Sequence, residues 1–170
     1  PGMIRAVPPW FPLLAGSVFY AFALVWAAGE LPEDRVPLHF DPTGVPTAFG
    51  SRAWFLTLGT LFGLLVAGIG AGLYRLVATG SLARVSVPHR DYWTAPQRIG
   101  RLRHMLAEDM GRTFGATLFL LTVVPVTAVY ATRTDPPRLP VGAVWVVLAL
   151  LVAGIVGYCV YLARYRYRPA

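Results

Sequence analysis

His39 is the side chain best suited to chemistry here, and its neighbours set what chemistry that would be. Asp41 follows two positions later, and Glu30, Glu33 and Asp34 precede it. Imidazole and carboxylate are ligands for zinc and similar ions. This spacing matches no established metal motif, and no metal is assigned. The ring is expected instead to hydrogen-bond backbone carbonyls and fix the proline-rich loop on the bundle; the alternative is that it recognises an external peptide or lipid. Nucleophilic catalysis is poorly served. Ser17 and Thr60 lie in long apolar stretches where no His or acid stands at their depth to activate them. The glycines Gly59, Gly63, Gly68 and Gly72 fall in a helical pattern and not after a strand, so they form no phosphate-binding loop. A lone Cys159 excludes an internal disulfide and reads as a small apolar residue. No catalytic residue and no cofactor is assigned, and the chain is expected not to be an enzyme.

The elements that position these residues follow from the distribution of charge. Of 170 residues, 56% are hydrophobic and only 14% charged, against about a quarter charged in a soluble domain. Four blocks, 6–29, 53–74, 113–132 and 139–163, hold no Asp, Glu, Lys, Arg or His. Each is long enough, at 1.5 Å per helical residue, to cross a hydrocarbon layer of roughly 30 Å. The expected fold is therefore an all-α membrane protein, a four-transmembrane-helix bundle forming one membrane domain over residues 1–170. Spans are expected at about 8–29, 53–75, 112–132 and 140–163, with an outer loop at 30–52 and a cytoplasmic segment at 76–111. The first block exceeds a signal-peptide core of roughly 7–15 residues and reads as a retained span. Pro1 and Gly2 precede Met3, the expected natural start. Missing intramembrane ionisable groups argue against a proton-coupled transporter.

Arginine sets the expected orientation. The segment 75–112 carries Arg75, Arg84, Arg90, Arg98, Arg101, Arg103 and Arg112; the tail adds Arg164, Arg166 and Arg168, and the N-terminus Arg5. The opposite side has Arg35, Arg52, Arg133 and Arg138 among Glu30, Glu33, Asp34, Asp41 and Asp135. Retention of arginine inside places both termini in the cytoplasm of a bacterial inner-membrane protein. The net charge of +7 then serves topology and anionic lipid, not nucleic acid. All its basic residues are Arg and it has no Asn, a pattern of GC-rich bacterial genomes.

Local signals fill in the helices. Ser51 is an expected N-cap for the second span. Gly59 with Gly63, and Gly68 with Gly72, form two small-residue pairs, and Ala149, Ala153 and Gly157 form a row on the fourth span; such faces are expected to pack inside the bundle. Pro125 should kink the third span, with Thr122 or Thr127 covering freed carbonyls. Thr94 with Gln97 matches a capping box. Ile99, Leu102, Leu106 and Met110 then recur at helical spacing, predicting an interfacial amphipathic helix between spans 2 and 3 that runs into the third span.

Two stretches exceed what a membrane anchor needs. The outer one, LPEDRVPLHFDPTGVPTAFGSR from Leu31 to Arg52, is stiffened by prolines and carries a turn signal at Asp41-Pro42-Thr43-Gly44. The inner one, VPHRDYWTAPQR from Val87 to Arg98, places Tyr92 and Trp93 near the interface. Together they resemble a bacterial integral-membrane family of unknown function whose best-described relatives are immunity proteins against the sporulation-delay toxin. Leu31, Pro32, Pro37, His39, Phe40, Gly44, Pro46 and Ser51 carry the outer LPxxxPxHF match, and Tyr92, Trp93, Ala95 and Pro96 the inner YWxAP match. The resemblance covers roughly residues 10–130; the immunity relatives have additional spans. It implies a membrane binding or sensing module whose outer loop, with Pro37, His39, Phe40, Asp41, Gly44, Pro46 and Ser51, recognises an envelope peptide or lipid. Its alternatives are an accessory structural subunit of a larger membrane complex, with a membrane-protein partner, and a small carrier or lipid-handling protein. The oligomeric state is left open.

Overall fold

A computed structural model describes residues 7–82 and 85–169. Arg5 and Arg84, counted above, and Met3 lie outside the described residues. Helix α1 spans Phe11–Glu30, strands β1 and β2 Val36–Phe40 and Pro46–Gly50, and α2 Arg52–Thr79. After the short α3, Arg90–Trp93, come α4, Ile99–Leu121, α5, Val123–Thr132, and α6, Val141–Tyr161. The α6 helix closes in a π-helical turn, Leu162–Arg166. Among the described residues, helices α1, α2, α4 with α5, and α6 are the four long and apolar enough to cross a membrane. The protein is a multi-pass, all-α membrane protein.

Helices α1, α2 and α4 pack on one another, and glycine makes this close. The buried face of α1 is Gly16, Tyr20, Ala23, Leu24 and Ala27, a helical stripe. A Cβ on Gly16 would strike the Gly115 carbonyl, and Cβ atoms on Gly111 and Gly115 would strike the carbonyls of Pro9 and Pro12. Here backbone meets backbone, and the packing of small residues in lipid explains why. On the other flank the Tyr20 ring lies on Gly63, and its hydroxyl donates to Gly59 O at 2.8 Å. The first glycine pair of α2 thus packs as its spacing predicts.

Two small-residue expectations need correction. Gly68 and Gly72 are exposed, and a Cβ on either would meet nothing within 4 Å. Gly70, between them, is the buried one, beneath Phe114 and Leu13. The row Ala149, Ala153 and Gly157 is likewise exposed. No residue of α6 is buried; Val144, Leu151 and Tyr158, along one face, are only partly covered.

The third span is one continuous run, Ile99–Thr132, broken only at Thr122. Pro125 lacks the N–H that would bond Leu121. Near the break the Thr122 hydroxyl donates to Phe119 O and the Thr127 hydroxyl to Val123 O, at 2.6 and 2.8 Å. The amphipathic segment forms the first turns of this helix, and its apolar stripe is used on protein: Leu102 and Leu106 join Leu82, Trp93, Met105 and Tyr167 in a core. The capping box does not form. Thr94 ends α3 with its hydroxyl donating back to Arg90 O, and Arg98 precedes α4 without a side-chain cap.

Candidate functional site

The segment between α1 and α2, expected from its prolines to be a stiff loop, folds into a β-hairpin. Strands β1 and β2 pair antiparallel, Val36 with Gly50 and Phe40 with Pro46, with irregularities on either side of His39. Asp41 builds the turn: its Oδ1 accepts from the Thr43 N–H, the Thr43 hydroxyl and the Val45 N–H, at 2.8, 2.7 and 2.9 Å. These bonds, the Thr43 hydroxyl first and the Val45 amide next, hold the Asp41 carboxyl below its ordinary range. Gly44 donates to Asp41 O and sits at φ 84°, a left-handed conformation that glycine adopts without a Cβ penalty.

The hairpin is fastened down, not floating. Val36 and Pro37 are fully buried, Val36 among Ala27, Leu31, Ala128 and Val129. Ser51 caps α2, accepting from Trp54 N–H at 3.2 Å. Arg52 donates to Ala28 O and Leu31 O, at 3.2 and 3.1 Å, where the end of α1 leaves carbonyls unpaired. It also pairs with Glu33, while Arg133 at the end of α5 pairs with Glu30. Phe40 and Pro46 are half-buried at the hairpin's far end.

His39 itself is exposed and does not pin the hairpin to the helices. Its Nδ1 is hydrogen-bonded to Thr47 Oγ1 across the strands, at 2.6 Å. Of the carboxylates flanking it in sequence, Glu30 and Glu33 are engaged with arginines and Asp41 with its turn. Among the described residues no three His, Cys, Asp or Glu side chains come together to hold a metal ion. On the hairpin His39, Thr47, Ala48 and Phe49 are exposed, with Arg35 held 5.5 Å above the Phe49 ring.

At the arginine-rich side the inner motif is a docking point. Trp93 is buried and its indole N–H donates to Tyr167 O at 2.9 Å, with the two rings edge-on. Tyr92 lies under the Arg98 guanidinium at 3.9 Å. Ala95 accepts from the Arg98 and Ile99 N–H groups, and with exposed Pro96 it turns the chain into α4.

Next to it lies a charge cluster that the sequence reading missed. Asp109 is 2% exposed and accepts from the Tyr158 and Tyr167 hydroxyls at 3.1 and 2.6 Å. Glu108 pairs with Arg166, with Arg112 at 3.5 Å and with His104 at 3.4 Å. Arg166 Nε, buried and without a hydrogen bond, lies 3.4 Å from Asp109. Burial, and then the bond to Asp109, push the Tyr167 hydroxyl's pKa well up, so it stays a donor. A signal was available: Asp109 falls at the i+7 position of the stripe Leu102–Leu106, where a carboxylate must find partners.

Both ends of α6 are thereby tied to a motif. The Leu139 N–H, just before α6, donates to Gly44 O of the hairpin turn at 3.0 Å, and Val141 lies against Gly44. At the other end, Tyr158, Arg166 and Tyr167 reach α4 and Trp93.

Residues 16–64 match the model of a family described as a domain of unknown function (DUF1648). The matched stretch runs from the Gly16 contact through the hairpin into α2, and stops before the YWxAP segment. No curated protein and no solved structure matches the chain.

Proposed function

We propose that this chain is a binding and sensing module of a bacterial inner membrane, related to the immunity-like family, with its hairpin outside and both termini in the cytoplasm. The ligand is an envelope peptide or lipid held by the exposed hairpin face. One observation carries this reading: the hairpin turn and the Trp93 motif are attached to opposite ends of the same helix, α6. Because α6 buries no residue along its length, a shift of Gly44 against Leu139 meets little resistance before it reaches the Asp109 cluster. That geometry suits a two-position element biased from one side and read on the other. The orientation is supported by arginine, in excess beside α3 and α4, while two hairpin-side arginines are neutralised by Glu30 and Glu33.

The test is survival. Cells lacking the chain should die more readily under cationic envelope-active peptides, and re-expression should protect them. Re-expression with residues 36–50 replaced by a Gly-Ser linker should not. Equal protection by the hairpin-less chain, at equal membrane abundance, refutes the reading.

A second reading is favoured by a separate observation. The exposed rows Gly68–Gly72 and Ala149–Ala153–Gly157 are free to take a helix of another subunit. A stoichiometric membrane partner retained after mild detergent extraction, and lost on Gly72→Leu, would favour an accessory subunit.

A further inference from the structure

The arginine-rich side holds a concavity of about 280 Å³ between the end of α2, the helix α3 and the start of α4. Ser81, Leu82, Arg90, Thr94, Ile99 and Arg103 line it. We propose that it is a binding site for a phosphate ester, the headgroup of an anionic membrane phospholipid.

The lining gives the chemistry. Two arginines, Arg90 and Arg103, and two hydroxyl-bearing residues line one hollow beside the aliphatic Leu82 and Ile99, and no acidic residue is among its lining. Guanidinium is the side chain whose fork fits phosphate oxygens two at a time. Arg103 is half-buried and held in place by one bond, from Nη1 to Val77 O at 3.1 Å. Among the described residues it has no carboxylate partner within 4 Å. The contrast with the rest of the chain is informative. The other two partly covered arginines among the described residues, Arg52 and Arg166, each have an acid, Glu33 for the first and Glu108 for the second. A partly desolvated cation without one is satisfied by an anion from outside the chain.

Depth selects the source of that anion. The α2 helix has 28 residues, starting at Arg52 on the hairpin side. At 1.5 Å per residue it is about 42 Å long, whereas the hydrocarbon layer is roughly 30 Å thick. Its last turns, with the Val77 carbonyl, therefore emerge into the headgroup layer, where lipid phosphates lie. Basic pockets at that level between spans are suited to anionic headgroups. The site is independent of what the hairpin binds.

The full chain in a nonionic detergent, with palmitoyl-oleoyl phosphatidylglycerol titrated in, tests this by native mass spectrometry and thermal unfolding. Wild type should retain the lipid and melt higher, and should hold the zwitterionic phosphatidylcholine of the same chains about tenfold less tightly, a factor worth about 1.4 kcal/mol. Ser81→Glu, which puts a negative charge at the exposed rim, should weaken phosphatidylglycerol by about tenfold or more with unchanged circular dichroism. Arg103→Lys should fall between, and Arg168→Gln, outside the hollow, should match wild type. Equal retention by wild type and Ser81→Glu overturns the site. Stabilisation by inorganic phosphate alone at the same concentrations, lost in Ser81→Glu, overturns the lipid assignment in favour of a soluble phosphate.

Discussion

Replacing Asp109 with alanine should undock the inner end of α6 while leaving the α1–α2–α4 packing in place. In the native chain the Asp109 carboxylate accepts from two tyrosine hydroxyls and faces Arg166 Nε. Hydrogen bonds to a charged acceptor contribute about 1.5–3 kcal/mol each, and removing one partner of a buried ion pair costs roughly 3–5 kcal/mol. These are not additive, because Arg166 keeps Glu108 and Tyr167 O keeps the Trp93 indole. A net loss of about 3 kcal/mol is therefore expected, a shift of roughly two orders of magnitude in the docked-to-undocked ratio. With no buried residue on α6, the packing of the helix itself offsets little of the loss. The native cysteine supplies the probe, since Cys159 is exposed and adjoins Tyr158. A nitroxide there should give a slow-motion spectrum in wild type and a mobile one in Asp109→Ala, with faster hydrogen exchange over 158–169. Asp109→Asn keeps an acceptor oxygen without the charge and should fall between. An unchanged spectrum in Asp109→Ala, or a change no larger than that of Asp34→Ala on the hairpin side, would refute the reasoning.

Glycines of the same spacing should respond in opposite ways. Gly115→Ala pushes a Cβ into the Pro12 carbonyl and should cost about 1–3 kcal/mol by overpacking. Gly72→Ala meets open space and should be neutral or stabilise by up to about 1 kcal/mol through helix propensity; thermal unfolding in detergent compares them. Asp41→Ala should release the Thr43 and Val45 amides to hydrogen exchange while distant amides stay protected. Because the fold depresses the Asp41 carboxyl, its contribution is fully present at neutral pH. It fades only as the solution is acidified below the ordinary carboxylate range and through the depressed value. Protection lost on raising the pH instead would contradict that sign.

The four charge-free blocks made the membrane helices legible, because hydrocarbon leaves no other place for such lengths of chain. The Asp41–Gly44 turn and the Ser51 cap were also readable, since each is written by residues close in sequence. The strands were not. Pro37 and Pro46 argue against a strand wherever each N–H needs a partner, but a two-stranded sheet is all edge and tolerates them. Glycine spacing gave a face without saying which way it looked: Gly59 and Gly63 meet Tyr20, whereas Gly68 and Gly72 meet nothing. Gly111 and Gly115 escaped notice because Arg112 between them put the pair at the edge of an apolar block. Asp109 was hidden by its neighbours' polarity, although its place on the Leu102–Leu106 stripe marked it. Within the hairpin, the exposure of His39 depended on strand pairing that the sequence did not disclose.

The spans are also unequal, and that inequality has a mechanical result. Twenty residues make α1 about 30 Å long, while the 34 residues from Ile99 to Thr132 make a rod of roughly 51 Å. Their ends on the hairpin side are bolted level by Glu30–Arg133 and by Arg52 on α1. All the surplus length emerges on the opposite face. In a thicker or thinner bilayer the adjustment should therefore fall on the arginine-bearing overhang, while the cap keeps its shape.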